Sequence, residues 1–339
     1  MRSLLFLSMF FICELAHSKD KDVIRVYTYS SFASEWGPGP ILKREFEANC
    51  NCEIKLITVA DGNALLARIK LESSAPKADL VVGIEDALIA SAMKTNQFLD
   101  PQISMKRLEQ PKSINKTGPF IPYNFGYYAF MFDTKAKDPS GSPFPQPASM
   151  NELLNSPKFV KSIIVQDPRT SAPGLALLLW IKALYKDKAP EKYKLLQKQI
   201  LTATRGWSES YKLFTKGEAP LVFSYTTSEA YHREEEKTDR YKALIFTEGH
   251  YISVEYAAIL KTSKKENLAK RFIEYLLSPS AQSIIAHKNW MYPTQTALTL
   301  PKSYDQILQP AQTLQIKSDE ILINRENWIR EWQKETQTK

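Results

Sequence analysis

Small residues at the start of an apolar stretch form the first candidate site in the sequence. Ser171-Ala172-Pro173-Gly174 leads directly into the apolar residues from 175 onward. Side chains this small leave the first backbone N–H groups of a helix open to an anion and let a ligand approach closely. The segment therefore predicts either an ordinary helix cap or a contact for a phosphate, a carboxylate or an oxyanion.

Aromatic side chains recur near predicted turns instead of along apolar helical stripes. One such residue alone would indicate core packing, but several at strand ends could stack on a flat ring or hold a cation over their faces. A cation held in this way gains about 0.5–2 kcal/mol per ring. The residues are Tyr27, Tyr29, Trp36, Trp207, Tyr225, Tyr231, Trp290 and Tyr292.

The other reactive residue types carry no local signature of catalysis or of a structural metal. The sequence lacks GxSxG, GxxxxGK[ST], GxGxxG and HExxH motifs. The segment 232–236 (HREEE) places His232 beside three glutamates, but adjacent residues of a helix point in different directions, so we expect a solvated charged face. Cys50 and Cys52 flank only Asn51 and could form a local disulfide, bind a metal or take part in thiol exchange.

Predicted strands and helices alternate at short spacing and would position these residues. The segments 23–29, 53–59 and 78–84 have strand patterns and are separated by helical ones, which is typical of a parallel sheet with crossover helices. Loops at the carboxyl ends of such strands face the ligand crevice. Two loops, Tyr29 to Trp36 and Asp61-Gly62, are therefore predicted to belong to the site.

Later segments extend this pattern to the end of the chain. Strand patterns recur at 125–132, 163–166, 220–225 and 251–260, and the tail from Ser318 reads as a helix. Trp328 and Trp332 lie four residues apart on one face of that helix, and we expect them to pack against the core.

Length and composition indicate an exported protein with two domains or one large one. Of the 339 residues 43% are hydrophobic, and residues 1–18 read as a secretory signal peptide, which predicts export. Beyond it the longest apolar run, Leu175 to Ile181, is far shorter than the roughly 20 residues of a membrane-spanning helix. The net charge of +8 comes from lysines interleaved with acidic residues, which argues against nucleic acid as a partner.

Several segments of the sequence resemble the thiamine-binding periplasmic proteins of ABC import systems. The resemblance runs from the first predicted strand to the tail and covers essentially all of the chain after the signal peptide. The segments are VYTYSSFASEWGPGP (26–40), FEANCNCEIKL (46–56), ADLVVG (78–83), QDPRTSAPGLALLLW (166–180), TRGWSESYKLFTKGEA (204–219), SYTTSEAYH (224–232), EGHY (248–251) and NWMYP (289–293).

The resemblance implies an α/β fold of the two-lobed, type II class of periplasmic solute-binding proteins. Each lobe would be a mostly parallel sheet flanked by helices, and the two would close on the ligand like a hinge. We expect lobe 1 to comprise residues 19–122 and about 229–285. Lobe 2 would comprise about 123–228 and about 286–339, with the C-terminal helix docked on it.

The resemblance also implies a ligand, partners and contact residues. The ligand would be thiamine, with its mono- and diphosphate as accepted variants, and a monomeric receptor without a cofactor would deliver it to a membrane permease with a cytoplasmic ATPase. Position by position, the family's ligand contacts fall on Asp61, Gly62, Ser171, Ala172, Trp207, Tyr225, Thr226, Thr227 and Ser228, with further aromatic residues at Tyr29, Tyr231 and Trp290.

Each implied contact can be given a physical role. The rings of Trp207, Tyr231 and Trp290 would stack on the pyrimidine and the cationic thiazolium, and Asp61 would face a ring amine or the positive charge. The hydroxyl or phosphate end of the ligand would be hydrogen-bonded by Ser171, by the N–H of Ala172, by Tyr29 and by Thr227. Ala172 stands where the family pattern leads us to expect serine or threonine, which leaves the preference for phosphate esters open.

Two other functions remain open from the residues alone. A ferric-ion receptor of the same fold would bind iron through tyrosinate oxygens such as that of Tyr225, but Thr226 follows it and a paired-tyrosine element is missing. A secreted enzyme that cleaves thiamine would need a nucleophile, and only Cys50 or Cys52 offers a thiol there. The receptor without enzymatic activity is the function that the sequence favours.

Overall fold

The computed structural model of the protein describes residues 21–73, 75–105, 108, 118–295 and 298–336. The predicted signal peptide lies outside these residues. Within them, no helix combines the length and the apolar character that crossing a membrane requires.

The strands of the described residues are short, except for two that run through the centre of the fold. In chain order they are β1 (Asp22–Tyr29), β2 (Cys52–Val59), β3 (Leu80–Glu85), β4 (Phe98–Leu99), β5 (Ile121–Asp133), β6 (Ile163–Gln166), β7 (Ile200–Thr204), β8 (Leu221–Tyr225), β9 (Tyr241–Ala243), β10 (His250–Leu260), β11 (Tyr292–Pro293) and β12 (Thr313–Leu314).

Helices connect most of these strands. The α-helices are α1 (Ser30–Ala33), α2 (Gly39–Glu47), α3 (Gly62–Glu72), α4 (Ile89–Met93), α5 (Met150–Asn155), α6 (Ala172–Tyr185), α7 (Ala189–Gln199), α8 (Trp207–Thr215), α9 (Ser228–Glu234), α10 (Glu266–Leu276), α11 (Pro279–Lys288) and α12 (Ser318–Thr336). Short 3₁₀ helices occupy Asp86–Leu88, Pro157–Phe159, Lys186–Lys188 and Lys302–Gln306.

The strands form two parallel groups joined by an antiparallel centre. In the first group β1 pairs in parallel with β2 and β3, and in the second β6 pairs in parallel with β7 and β8. Between them β10 runs antiparallel to β3 and to β5, and β5 runs antiparallel to β8. The order β2-β1-β3-β10-β5-β8-β6-β7 forms one continuous path and confirms the predicted α/β class, with a parallel group in each half.

The two central strands, β5 and β10, are buried on both faces, and their sequences are correspondingly apolar. Every residue of β10 is buried, and in β5 all but Tyr127 are. A strand buried on both faces reads as a nearly continuous apolar run instead of alternating with polar residues. Glu255 and Asn124 interrupt these two runs, and a buried polar group in such a strand needs hydrogen-bond partners.

The predicted strands at the start of the chain agree with the structure to within two residues. The segments predicted at 23–29, 53–59 and 78–84 correspond to β1, β2 and β3. The predicted site loop after β1 contains the single helical turn α1, which buries Phe32. A further feature of this region is the disulfide that joins Cys50 to Cys52 across Asn51, at the entry to β2.

Helix α6 is apolar along most of its length and holds the small-residue segment in place. Its residues from Ala172 to Ile181 are all buried, and Ser171 caps the helix by accepting the N–H of Gly174 over 3.4 Å. Trp180 anchors the helix from the other side, because its indole N–H donates to the carbonyl of Gly249 over 3.1 Å. The segment 171–174 is therefore a capped helix start packed against the sheet.

Helix α12 closes the fold by packing on helices from both halves of the chain. It contacts α7 as well as α4 and the 3₁₀ helix that follows β3. Its buried side chains are Ile321, Trp328, Ile329 and Trp332. The prediction that both tryptophans of this helix serve packing is confirmed.

Gly83 in β3 has a conformation and a neighbour that exclude a side chain. Its φ is +104°, and a Cβ there would lie 2.3 Å from two ring carbons of Tyr29. We expect Gly83→Ala to lower the free energy of unfolding by about 2–3 kcal/mol, through backbone strain together with overpacking against that ring. Urea denaturation of the purified protein measures the change.

Gly141→Ala is the matched control, because Gly141 has a φ of +82° but no atom lies within 4 Å of the place that a Cβ would take. It is expected to cost only about 1 kcal/mol from the backbone. Equal losses in the two variants would contradict the close packing of Tyr29 on Gly83.

Candidate functional site

A cavity of about 460 Å³ lies where strands of both parallel groups end. Volumes of this order are typical of sites for small organic ligands. Residues at the carboxyl ends of β1, β3 and β8 line it, together with the loop after β2 and the first turns of α8 and α9. These are the positions at which an open α/β sheet is expected to bind its ligand.

Glu255, in the middle of β10, lines the cavity and is held by four donors. Its Oε2 accepts hydrogen bonds from the amide of Asn124 (2.6 Å), the hydroxyls of Tyr29 (2.9 Å) and Tyr123 (3.0 Å) and the amide of Asn289 (3.2 Å). Burial raises the pKa of Glu255, while these donors stabilise the charged form and oppose the rise. The four bonds fix the carboxyl group at the surface of the cavity.

Glu85, the last residue of β3, lines the same cavity directly opposite Glu255 in the strand register. The hydroxyl of Tyr128 on β5 donates to Oε2 of Glu85 over 2.5 Å, and the hydroxyl of Tyr225 lies 3.5 Å from that of Tyr128. Burial raises the pKa of Glu85 well above its usual value, and the neighbouring charges of Glu255 and Asp61 raise it further. The surroundings of Glu85 therefore favour its protonated form, compared with a carboxyl group in water.

Asp61 ends the loop after β2 and caps helix α3. Its Oδ1 accepts the N–H of Asn63 over 3.2 Å, whereas its buried Oδ2 has no hydrogen-bond partner among the described residues. Burial raises the pKa of Asp61 to about 6, although the polar hydrogens of nearby Ser171 and Ala172 oppose the rise. An unpaired carboxylate oxygen at this place can accept a donor or a cation from a ligand.

Two pairs of aromatic rings form further walls of the cavity. Trp207, the first residue of α8, stacks on Tyr211 with the ring centroids 4.7 Å apart, and its indole N–H donates to the hydroxyl of Ser224 over 2.8 Å. In the second pair, Tyr231 meets Trp290 edge to face at 5.9 Å, and both rings line the cavity. Both pairs place ring surface beside the carboxyl groups.

Trp290 adopts a backbone conformation that is rare for a bulky residue. Its φ is +52°, in the left-handed region, which costs on the order of 1–3 kcal/mol outside glycine. The neighbouring contacts compensate for this, because Asn289 is bonded to Tyr29 and Glu255 and the Trp290 ring stacks on Tyr304 at 6.4 Å. Strain held in place by its surroundings is concentrated at ligand sites.

His232 contacts Tyr211 of the stacked Trp207–Tyr211 pair. The prediction of a solvated face for 232–236 is wrong at this residue, because α9 turns the His232 ring into the core beside α8. Nε2 lies 2.7 Å from the hydroxyl of Tyr211, and Nδ1 lies 2.7 Å from Oε2 of Glu236. Burial lowers the pKa of His232, so the neutral ring holds Tyr211 in place under Trp207.

The cavity is acidic although the chain is basic. Four carboxyl groups line it, those of Asp61, Glu85, Glu236 and Glu255, against one ammonium group, that of Lys212. The net charge of +8 is spread over the whole chain, and at physiological salt charges more than about 8 Å away are largely screened. A positively charged ligand would therefore be attracted by the local carboxyl groups.

Comparison with known proteins assigns this architecture to a family. Residues 75–324 match the family model of the bacterial extracellular solute-binding proteins. The chain is 45% identical over 315 residues to the thiamine-binding periplasmic protein of Escherichia coli (strain K12), with 93% of each chain covered. It is 44% identical over 333 residues to the thiamine-binding periplasmic protein of Brucella abortus biovar 1 (strain 9-941), with 97% of each covered.

A solved structure agrees with these relatives. A protein described as a periplasmic thiamin binding protein superposes with a TM-score of 0.89 at 44% identity, with 94% of this chain and 97% of the other covered. The chain belongs to the family of thiamine-binding periplasmic proteins. The resemblance stated from the sequence segments is thereby confirmed.

Eight of the twelve predicted contact residues line the cavity. The other four, Ser171, Ala172, Thr226 and Thr227, are fully buried and do not line it, although Pro173 next to Ala172 does. Their contacts with a ligand stay predictions. The eight are Tyr29, Asp61, Gly62, Trp207, Tyr225, Ser228, Tyr231 and Trp290.

The carboxyl groups of Glu85 and Glu255 and the amide of Asn289 line the cavity but were not predicted from the sequence. Glu85 directly follows the predicted third strand, so the rule that selected Tyr29 and Asp61 would have selected it as well. Glu255 is the one charged residue of the buried strand β10, which is a usable signal. Asn289 has no comparable signal, because its role depends on the two side chains it meets across the fold.

The raised pKa of Asp61 predicts a dependence of stability on pH. Ionising this carboxyl costs more in the folded than in the unfolded protein, so its contribution is lost as the pH rises from about 4 through about 6. We expect the isosteric Asp61→Asn, which keeps a helix-capping side chain, to stabilise the ligand-free protein by up to about 3 kcal/mol above pH 6.5.

Urea denaturation of both proteins at pH 4, 5, 6 and 7.5 measures this difference. At pH 4 the two unfolding free energies should nearly coincide. A difference that stayed constant across the series would contradict the perturbed ionisation of Asp61.

Proposed function

We propose that this protein is a periplasmic receptor that binds thiamine in the cavity between the two parallel groups and delivers it to an ABC import permease. The family assignment supports this function, since the relatives in E. coli and Brucella are named for thiamine binding. The observation in this chain that carries the proposal is the cavity itself, in which aromatic rings and carboxyl groups stand side by side.

Thiamine matches this combination chemically. It carries a flat aminopyrimidine ring and a thiazolium ring with a fixed positive charge, and it ends in a hydroxyethyl group. Aromatic faces bind both the flat ring and the cation, and buried carboxylates strengthen the attraction because the cavity walls exclude water. In our proposal Trp207, Tyr231 and Trp290 contact the rings, and Asp61 faces the ring amine or the positive charge.

The hydroxyethyl end, or a phosphate attached to it, is assigned to the start of helix α6. Ser171 and the N–H of Ala172 lie beside Asp61, and Tyr29 and Thr227 complete the proposed set. Helix starts attract anions through their free N–H groups and the helix dipole. Thiamine mono- and diphosphate are therefore proposed as accepted ligands.

The two lobes proposed from the sequence would close around the ligand. In this view residues 19–122 and about 229–285 form lobe 1, and about 123–228 and about 286–339 form lobe 2. A monomeric receptor with the leader 1–18 removed would present the closed form to the permease and its ATPase, without catalysing a reaction.

Isothermal titration of the purified protein tests this function. Thiamine, thiamine monophosphate and ferric citrate are titrated in parallel, and thiamine is recovered and analysed afterwards. We expect one-to-one binding of thiamine, its recovery unchanged, and no binding of ferric citrate. Binding of ferric citrate alone would favour the iron receptor, and a cleaved product lost on Cys50→Ser or Cys52→Ser would favour an enzyme.

Trp207 offers a sharper test of the aromatic wall. Trp207→Ala is expected to weaken thiamine binding by about 1–3 kcal/mol, because stacking surface is lost at the centre of the site. The matched variant Trp207→Phe keeps a ring over Tyr211 but loses the bond to Ser224, so its loss should be smaller. Calorimetric affinities of both variants equal to that of the parent would contradict the assigned role.

A further inference from the structure

Two carboxyl groups face each other inside the cavity at the centre of the fold. The antiparallel register of β3 and β10 pairs Glu85 directly with Glu255, and both side chains are buried, with 5% and 7% of their surface exposed. Like charges directly opposite each other in a sheet repel, and burial adds the cost of desolvation. Two ionised carboxylates here are therefore unfavourable unless hydrogen-bond donors or a cation stabilise them.

Hydrogen bonds stabilise the ionised form of Glu255 much more than that of Glu85. Glu255 receives four donors on Oε2, which favours its ionised form. Glu85 receives one, from Tyr128. Among the described ion pairs none involves either carboxyl group, and the charges acting on Glu85 are those of other acids. Of the two carboxyl groups, Glu85 is therefore the one on which a proton is favoured.

We propose that Glu85 and Glu255 form a cation subsite of the cavity, which holds a proton on Glu85 while empty and releases it when a positively charged ligand binds. On binding, the O–H bond of the Glu85 carboxyl breaks, the proton passes to the solvent, and the second carboxylate charge is balanced by the ligand. No bond of the ligand changes. The inference rests on the proposed function, since it assumes an organic cation such as thiamine as the ligand.

The groups around Glu85 set the direction of this exchange. From β10 it faces Glu255, from β5 Tyr128, from β8 Tyr225 and from the loop before α3 Asp61, while Asp86 follows it in the chain. Lys212 on α8 is the cationic side chain among the cavity-lining residues. A bound cation would reverse this acidic field and lower the pKa of Glu85. The exchange then makes affinity for a cation rise with pH, by up to tenfold per unit while Glu85 remains protonated.

Calorimetry in two buffers measures the exchange directly. The purified protein is titrated with thiamine at pH 7.0, 7.5 and 8.0 in phosphate and in Tris, whose heats of ionisation differ, and the difference in binding heat gives the number of protons released. Asp61 contributes at most about one tenth of a proton at these pH values, since its pKa is about 6. We expect proton release well above that share, and a value near zero at all three pH values with thiamine bound would overturn the proposal.

Two variants test whether the released proton comes from the carboxyl group of Glu85. Glu85→Gln should bind thiamine more weakly at pH 8.0 and release no proton, whereas Asp61→Asn should bind more weakly but keep the release. Release that persists in Glu85→Gln, or that disappears in Asp61→Asn alone, would overturn the assignment to Glu85.

A second variant keeps the proposal testable if Glu85→Gln does not fold. Tyr128→Phe removes the donor that stabilises the charged form of Glu85, so the release should persist and extend to higher pH than in the parent protein. An unchanged pH profile would count against Glu85. If no heat of thiamine binding is seen in the parent protein, the proposed function itself fails, which is distinguishable from binding without proton release.

Discussion

Strands β5 and β10 run antiparallel through the middle of the sheet and connect its two parallel groups. The first parallel group joins β10 through β3, and the second joins β5 through β8. The short strands β4, β9, β11 and β12 also pair with one of the two. The same pair carries Tyr123, Asn124, Tyr128 and Glu255, so the element that joins the halves also builds one side of the cavity.

This dual role explains why polar groups are buried at the centre of an apolar sheet. A receptor for a charged organic molecule needs fixed carboxyl groups, and only rigid elements can hold them in the absence of ligand. Glu255 meets this need through four donors from three different parts of the chain. Asp61 and Glu85 are left with fewer partners, which costs stability in the empty protein and leaves them available to a cation.

The sequence predicts the parts of the site that depend on local order. Tyr29, Asp61 and Gly62 follow from strand ends alone, because a strand pattern and a turn are both read within about ten residues. The resemblance to a family adds Trp207 and Trp290. His232 and Asn289 could not be placed from the sequence, since their environments are made by helix α8 and by strands β1 and β10, which meet them only in the folded chain.

The pairing of β3 with β10 has a consequence for how the chain folds. Glu85 and Glu255 lie 255 − 85 = 170 residues apart, so the first parallel group keeps an open edge at β3 until the last third of the chain is available. Such non-local pairing forms slowly, and an open strand edge invites aggregation. During that interval Glu85 is exposed to water and ionised, and a charge on a free edge discourages pairing with other chains. The acid that is buried in the finished cavity thus protects the unfinished sheet.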